Sequence, residues 1–244
     1  MITPKQIAEK TMTKEKREQA HNDYIAFYIG RKLSYIFTIP FLYTNIRPDT
    51  ISKLSLIPTL LGFIACCLAK SKVGMLIACA LFFIQDMLDG IDGNVARYKG
   101  IYSKYGSVWD ALSGYFMGCV SFLGTGIATA HLISDQILQL NFDPELYITF
   151  GAITGMAIIF PRLVMHKAIT TVGEEKDIDG IKDKGKFDII KILALNLSSS
   201  AGGVQILRIV AVCFNLLNWF TILYFVFFSS MAIVSIIMML RDRA

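Results

Sequence analysis

Residues 73–97 read VGMLIACALFFIQDMLDGIDGNVAR: thirteen residues without a charge, then three aspartates and Arg97. About 20 apolar residues cross the roughly 30 Å hydrocarbon layer, so the stretch predicts a membrane helix with a polar end. Each ionisable residue at membrane depth costs roughly 2.5–3.5 kcal/mol on insertion scales, which marks that end as a site. Asp89 and Asp92 are three apart and share a helix face. Asp86 lies one turn earlier on roughly the same side. Gly93 leaves a gap where a ligand can approach the backbone. Asp110 follows in the next apolar stretch after a short loop, so an antiparallel hairpin brings it to the same depth. Three clustered carboxylates repel one another, and a multivalent cation resolves that conflict. Oxygen-only ligands suit Mg²⁺, Mn²⁺ or Ca²⁺ rather than zinc.

Working outward, the chain has 244 residues, 54% of them hydrophobic, and a mean hydropathy of +0.53. These values exceed those of soluble domains and predict an all-α integral membrane protein. Six spans are expected, near 51–69, 73–97, 104–133, 146–166, 199–217 and 218–240, the last two poorly separated. Residues 23–43 mix aromatics with Arg31 and Lys32 and predict an amphipathic helix lying in the interface. The expected organisation is a cytoplasmic or interfacial segment, 1–46, followed by a transmembrane domain, 47–244. Nine Lys/Arg fall between Lys5 and Lys53, and most of the other loop cations fall at 98–104 and 167–191. The positive-inside rule therefore places both termini and the aspartate end in the cytoplasm. The alternating acids, bases and glycines of Glu174–Lys186 predict a solvated loop, or one that gates substrate. The five cysteines lie in apolar stretches without metal-ligand spacing.

The pattern Asp89, two residues, Asp92-Gly93, two residues, Ala96-Arg97, eight residues, Gly106, three residues, Asp110 resembles the signature of the CDP-alcohol phosphotransferase family. The six-span layout, the interfacial helix and the Arg47-Pro48-Asp49-Thr50 entry to the first span are also similar. The resemblance implies transfer of a substituted phosphoryl group from a CDP-linked alcohol to an acceptor, with release of CMP. It implies Mg²⁺ or Mn²⁺ held by Asp89, Asp92 and Asp110. It makes Asp49, Gly93, Ala96, Arg97 and Gly106 the surface that packs against the cytidine nucleotide. The expected partners are a CDP-alcohol donor, a lipid or small alcohol or phosphate acceptor, membrane lipids and a second copy of the chain, with no nucleic acid. A phospholipid-synthesis role follows from the same resemblance, a site facing the cytoplasm from the charge pattern, and a bacterial inner membrane from the many Ile and Lys residues.

One position departs from the signature. Its last aspartate, often assigned as general base, falls at 114, where this chain has Gly114. A base contributes roughly 10²–10⁴-fold, so three explanations stand side by side. The acceptor needs no such base, another carboxylate such as Asp86 acts with Asp110 as the catalytic pair, or the chain binds CDP-alcohol and metal without turnover. In that last case the residue at 114 is either natural or introduced. Gly114 also suits a close helix contact, because small residues let membrane helices approach. Arg208, deep in the fifth span, is expected to bind a phosphate or to pair with a carboxylate. Arg162 and Lys167 join it in an anion pocket or act as interface anchors.

Overall fold

The structure is a computed structural model that describes residues 2–140, 142–172 and 188–241. Every regular element among them is helical, ten α-helices in chain order. They are α1 (Pro4–Thr11), α2 (Lys14–Ala20), α3 (Arg31–Leu42), α4 (Pro48–Leu68), α5 (Lys72–Lys99), α6 (Gly106–His131), α7 (Pro144–Val172), α8 (Ile189–Ser198), α9 (Gln205–Cys213) and α10 (Leu217–Arg241). Five of these, α4 to α7 and α10, are long and apolar enough to cross a membrane. A sixth span exists if α8 and α9, bent by 58° at their junction, act as one. The expected loop at Glu174–Lys186 lies outside the described residues.

The expected fifth span, 199–217, is corrected by that bent pair. Residues 189–198 form a helix, although Lys191 and Asn196 make the stretch look like the end of a polar loop. Asn196 is satisfied locally: its side chain donates to the carbonyls of Ile192 (2.9 Å) and Asn22 (2.7 Å) and accepts from the Tyr24 amide (2.8 Å). At the break Gly202 has φ −133° and ψ −106°, outside the helical region. The boundary before α10 is sharper than the sequence suggested. Asn215 takes φ 57°, a left-handed conformation that asparagine tolerates and that ends α9.

The chain forms two compact units. One comprises residues 1–58, 81–114 and 180–206 and contains the aspartates. Here α1 starts with a capping box, Thr3 accepting from the Gln6 amide while Gln6 reaches back to Thr3. Pro48 begins α4, where its missing N–H costs nothing. Helix α3 lies against α5 through small and polar side chains. A Cβ on Gly90 would sit 3.1 Å from that of Ser34, tighter than such carbons ordinarily pack, so glycine eases this approach. Asn94 donates to Ser34 (3.2 Å) and Thr38 (3.1 Å), bonds of a kind that average about 0.6 kcal/mol between membrane helices. Ile51, Ile91 and Val95 form the apolar core beside them. Helix α5 closes at Gly100, φ 66°, with the Ile101 amide bonded back to the Ala96 carbonyl, and a loop of residues 100–105 leads into α6.

The other unit comprises residues 59–80, 115–179 and 207–244. Its α6 and α7 meet backbone to backbone. A Cβ on Gly151 would lie 2.4 Å from the Phe122 carbonyl oxygen, and one on Gly155 2.8 Å from that of Cys119. Phe122, Phe220, Tyr224 and Phe228 stack alongside. Gly151→Val should overpack this seam at about 1–3 kcal/mol and lower the melting temperature by about 3–10 °C. Thermal unfolding of detergent-purified protein measures it, and an unchanged midpoint would contradict the seam.

Candidate active site

The aspartates converge as the hairpin argument requires. One carboxylate oxygen from each of Asp89, Asp92 and Asp110 lies within 4.8 Å of the others, the first two from α5 and the third from α6. Opposite oxygens around a divalent ion lie about 4–5 Å apart, since metal–oxygen bonds run about 2.0–2.5 Å. The donor set is all oxygen and anionic, which fits Mg²⁺ or Mn²⁺. Burial is graded: Asp92 is buried, Asp89 half-buried and Asp110 exposed.

A cleft of about 290 Å³ opens beside Asp92 and Asp110. It is lined as well by Asp49, Gly93, Ala96, Arg97 and Gly106. All five positions that the resemblance implied for the nucleotide therefore face one space. Asp49 reaches it from the first turn of α4, and a Cβ on Gly106 would come 3.5 Å from the Asp49 carboxylate. Glycine at 106 keeps that wall open. The Arg97 guanidinium folds back over Gly93, where a Cβ would meet its terminal nitrogens at 2.9 Å. Arg97 donates to Asn94 Oδ1 (3.2 Å). Its Nε is buried and has no hydrogen-bond partner among the described residues. A buried donor left in that state costs about 1–3 kcal/mol, so the position suits an incoming phosphate oxygen.

Other cleft residues escape sequence reasoning. Ser52 on α4 donates to the Asp92 carboxylate and also to the Pro48 carbonyl (3.3 Å). One hydroxyl in an apolar span carries little signal by itself. The usable signal is periodic, since Ser52, Ser55 and Thr59 fall three and four apart on one face and all are buried. Ser55 pairs with Ser113 (2.6 Å), which is also reached by Gln85 (3.4 Å). Ser103, Ser107 and Tyr102 line the cleft from the loop and the start of α6. Ser52 holds the Asp92 carboxylate from the cleft wall. Ser52→Ala should therefore weaken Mn²⁺ affinity about 10–100-fold while leaving the fold intact, which calorimetric titration of Mn²⁺ can check.

Two expectations about the missing aspartate meet the structure here. Gly114 is not a close helix contact, because a Cβ built there meets no heavy atom within 4 Å. Asp86 stands apart from the group of three. It is buried, and it accepts a hydrogen bond from Gln205 (2.9 Å). That partner was invisible in sequence, 119 positions away.

The three cations expected to bind phosphate belong to the other unit. Arg208 is fully buried, donating to Ser121 (3.4 Å) with its guanidinium 5.2 Å from the Phe122 ring and 5.7 Å from the Phe220 ring. Arg162 is exposed and lies 5.3 Å over Tyr115, whose hydroxyl meets His166 at 3.0 Å. Lys167 is exposed.

The chain belongs to the CDP-alcohol phosphatidyltransferase family, whose model matches residues 45–227 and so spans α4 to the middle of α10. That family transfers a phosphatidyl group from a CDP-alcohol and releases CMP. A search of curated proteins returned no match.

Proposed function

We propose that this chain is a Mg²⁺- or Mn²⁺-dependent transferase that passes a substituted phosphoryl group from a CDP-linked alcohol to an acceptor hydroxyl in lipid synthesis. We place its cleft at the cytoplasmic face of the membrane, on the asymmetry of loop charge. The observation that carries the reading is the meeting of three carboxylates from two helices beside a cleft that also holds Arg97.

Asp89, Asp92 and Asp110 hold the ion, with Ser52 fixing the Asp92 carboxylate. An ion held there would supply positive charge against the pyrophosphate oxygens and against the charge that grows on departing CMP. Arg97 adds donors for the same oxygens. Gly93, Ala96 and Gly106 leave room for the nucleotide, and Asp49 bounds it from α4. The acceptor oxygen forms a bond to phosphorus as the bond to the CMP oxygen breaks, and its proton passes to solvent. Gly114 has no side chain that could take that proton. Turnover on alcohols is consequently slow for this architecture.

The test is CMP release by the purified full chain across CDP-alcohols and lipid acceptors. Release that stops with EDTA and returns with Mn²⁺ is the expected result. Release indifferent to EDTA would overturn the metal's place in the reading.

A further inference from the structure

Apart from the nucleotide cleft, a cavity of about 600 Å³ lies among the amino-terminal helices. Its walls and rim differ in kind. Ala8, Met12, Phe27, Tyr28, Tyr35 and Ile36 supply apolar surface. Four permanent cations reach it from three separate helices: Lys5 from α1, Arg17 from α2, and Arg31 and Lys32 from α3. Among the described residues, no aspartate or glutamate lines it. Cations on separate elements repel one another unless an anion lies between them. The strain extends to Lys16 on α2, whose ammonium is held below its ordinary pKa by partial burial and by the positive charges of Arg97 and Arg31.

The apolar side is equally open. Ile36 is 51% exposed and Tyr28 46%, and Ile29 and Phe37 beside them are about half exposed. A helix with cations on one side and large apolar groups on the other settles at a bilayer surface. The first membrane span follows within a few residues of α3, at Pro48. Clustered cations and apolar walls near a bilayer together describe an amphiphile with a negative headgroup.

We propose that this cavity binds one anionic phospholipid of the surrounding membrane, its phosphate on Arg17, Arg31 and Lys32 and its upper acyl region against Tyr28, Tyr35 and Ile36. The site is separate from the nucleotide cleft, with which it shares no lining residue. Its occupant neutralises the cations and fixes α1 and α2 upon α3. Because α3 packs on α5 through Ser34 and Asn94, an occupied cavity also steadies the helix that carries Asp89 and Asp92.

Native mass spectrometry of the detergent-solubilised full chain, titrated with dioleoylphosphatidylglycerol or dioleoylphosphatidylcholine, tests this directly. The anionic lipid should be retained at least about 10-fold more strongly than the zwitterionic one. Each cation near a charged lipid surface contributes about fivefold, so Arg17→Gln with Lys32→Gln should weaken retention of the anionic lipid roughly 25-fold. Lys5→Gln, at an exposed position on α1, gives an independent reading of about fivefold if the double variant proves unstable. Asp92→Asn should leave retention unchanged, which separates this lipid from a donor in the cleft. Equal retention of the two lipids, or variants that retain as the unaltered chain does, would overturn the proposal. So would displacement of the lipid by millimolar inorganic phosphate, which would assign the cations to a soluble anion instead.

Discussion

Asp92→Asn lowers CMP release about 10²–10³-fold and removes the tight Mn²⁺ site, with little change in folding. The asparagine keeps the shape and still accepts a hydrogen bond from Ser52, so packing is spared. What disappears is one of three negative charges, and with it the anionic field that holds a divalent ion. Loss of one preorganised electrostatic contact of this kind costs about 10²–10³ in rate. Frozen-solution electron paramagnetic resonance of titrated Mn²⁺ counts the site without requiring turnover. One tight ion in the unaltered chain and none in Asp92→Asn is the expected pair of spectra. Retention of the ion in the variant would move the metal elsewhere.

Gly114→Asp should raise CMP release with hydroxyl acceptors by about 10²–10⁴-fold, the range a general base contributes. The substitution is sterically open, since a Cβ at 114 meets nothing within 4 Å. Position 114 follows Asp110 by one turn of α6, so the new carboxylate projects from the same side of that helix. Measured rates on a panel of alcohol acceptors decide between two states of the unaltered chain. Slow but measurable release that accelerates in the variant fits a transferase lacking its base. Release seen only in the variant means that the unaltered chain holds nucleotide and metal without turnover. No change in either direction would show that 114 does not face the acceptor.

The parts of this molecule that were legible in sequence are those encoded within one helix or one hairpin. Asp89 and Asp92 share a face because of helical period, and Asp110 joins them because the loop is short. Apolar length alone located α4 to α7 and α10. What stayed hidden depends on partners remote in sequence. Gly90 sits inside the motif, yet its work is to admit Ser34 of α3, 56 positions earlier. Asp86 has the spacing of a reserve base, and its bond from Gln205 comes from 119 positions away. Ser52 looked like an ordinary small residue until its bond to Asp92 was seen. The bent pair α8–α9 was misplaced because Lys191 and Asn196 interrupt hydropathy, whereas tertiary hydrogen bonds let Asn196 sit comfortably in a helix.

Phosphorus-31 magnetic resonance of the purified chain with a CDP-alcohol, Mn²⁺-free Mg²⁺ and a lipid alcohol acceptor tests the proposed transfer most directly. CMP and a new phosphodiester should grow together in a one-to-one ratio, and both should grow about 10²–10³-fold more slowly in Asp92→Asn. CMP growing with free phosphomonoester would mean hydrolysis rather than transfer. An unchanged spectrum in both the unaltered chain and Gly114→Asp would contradict the account.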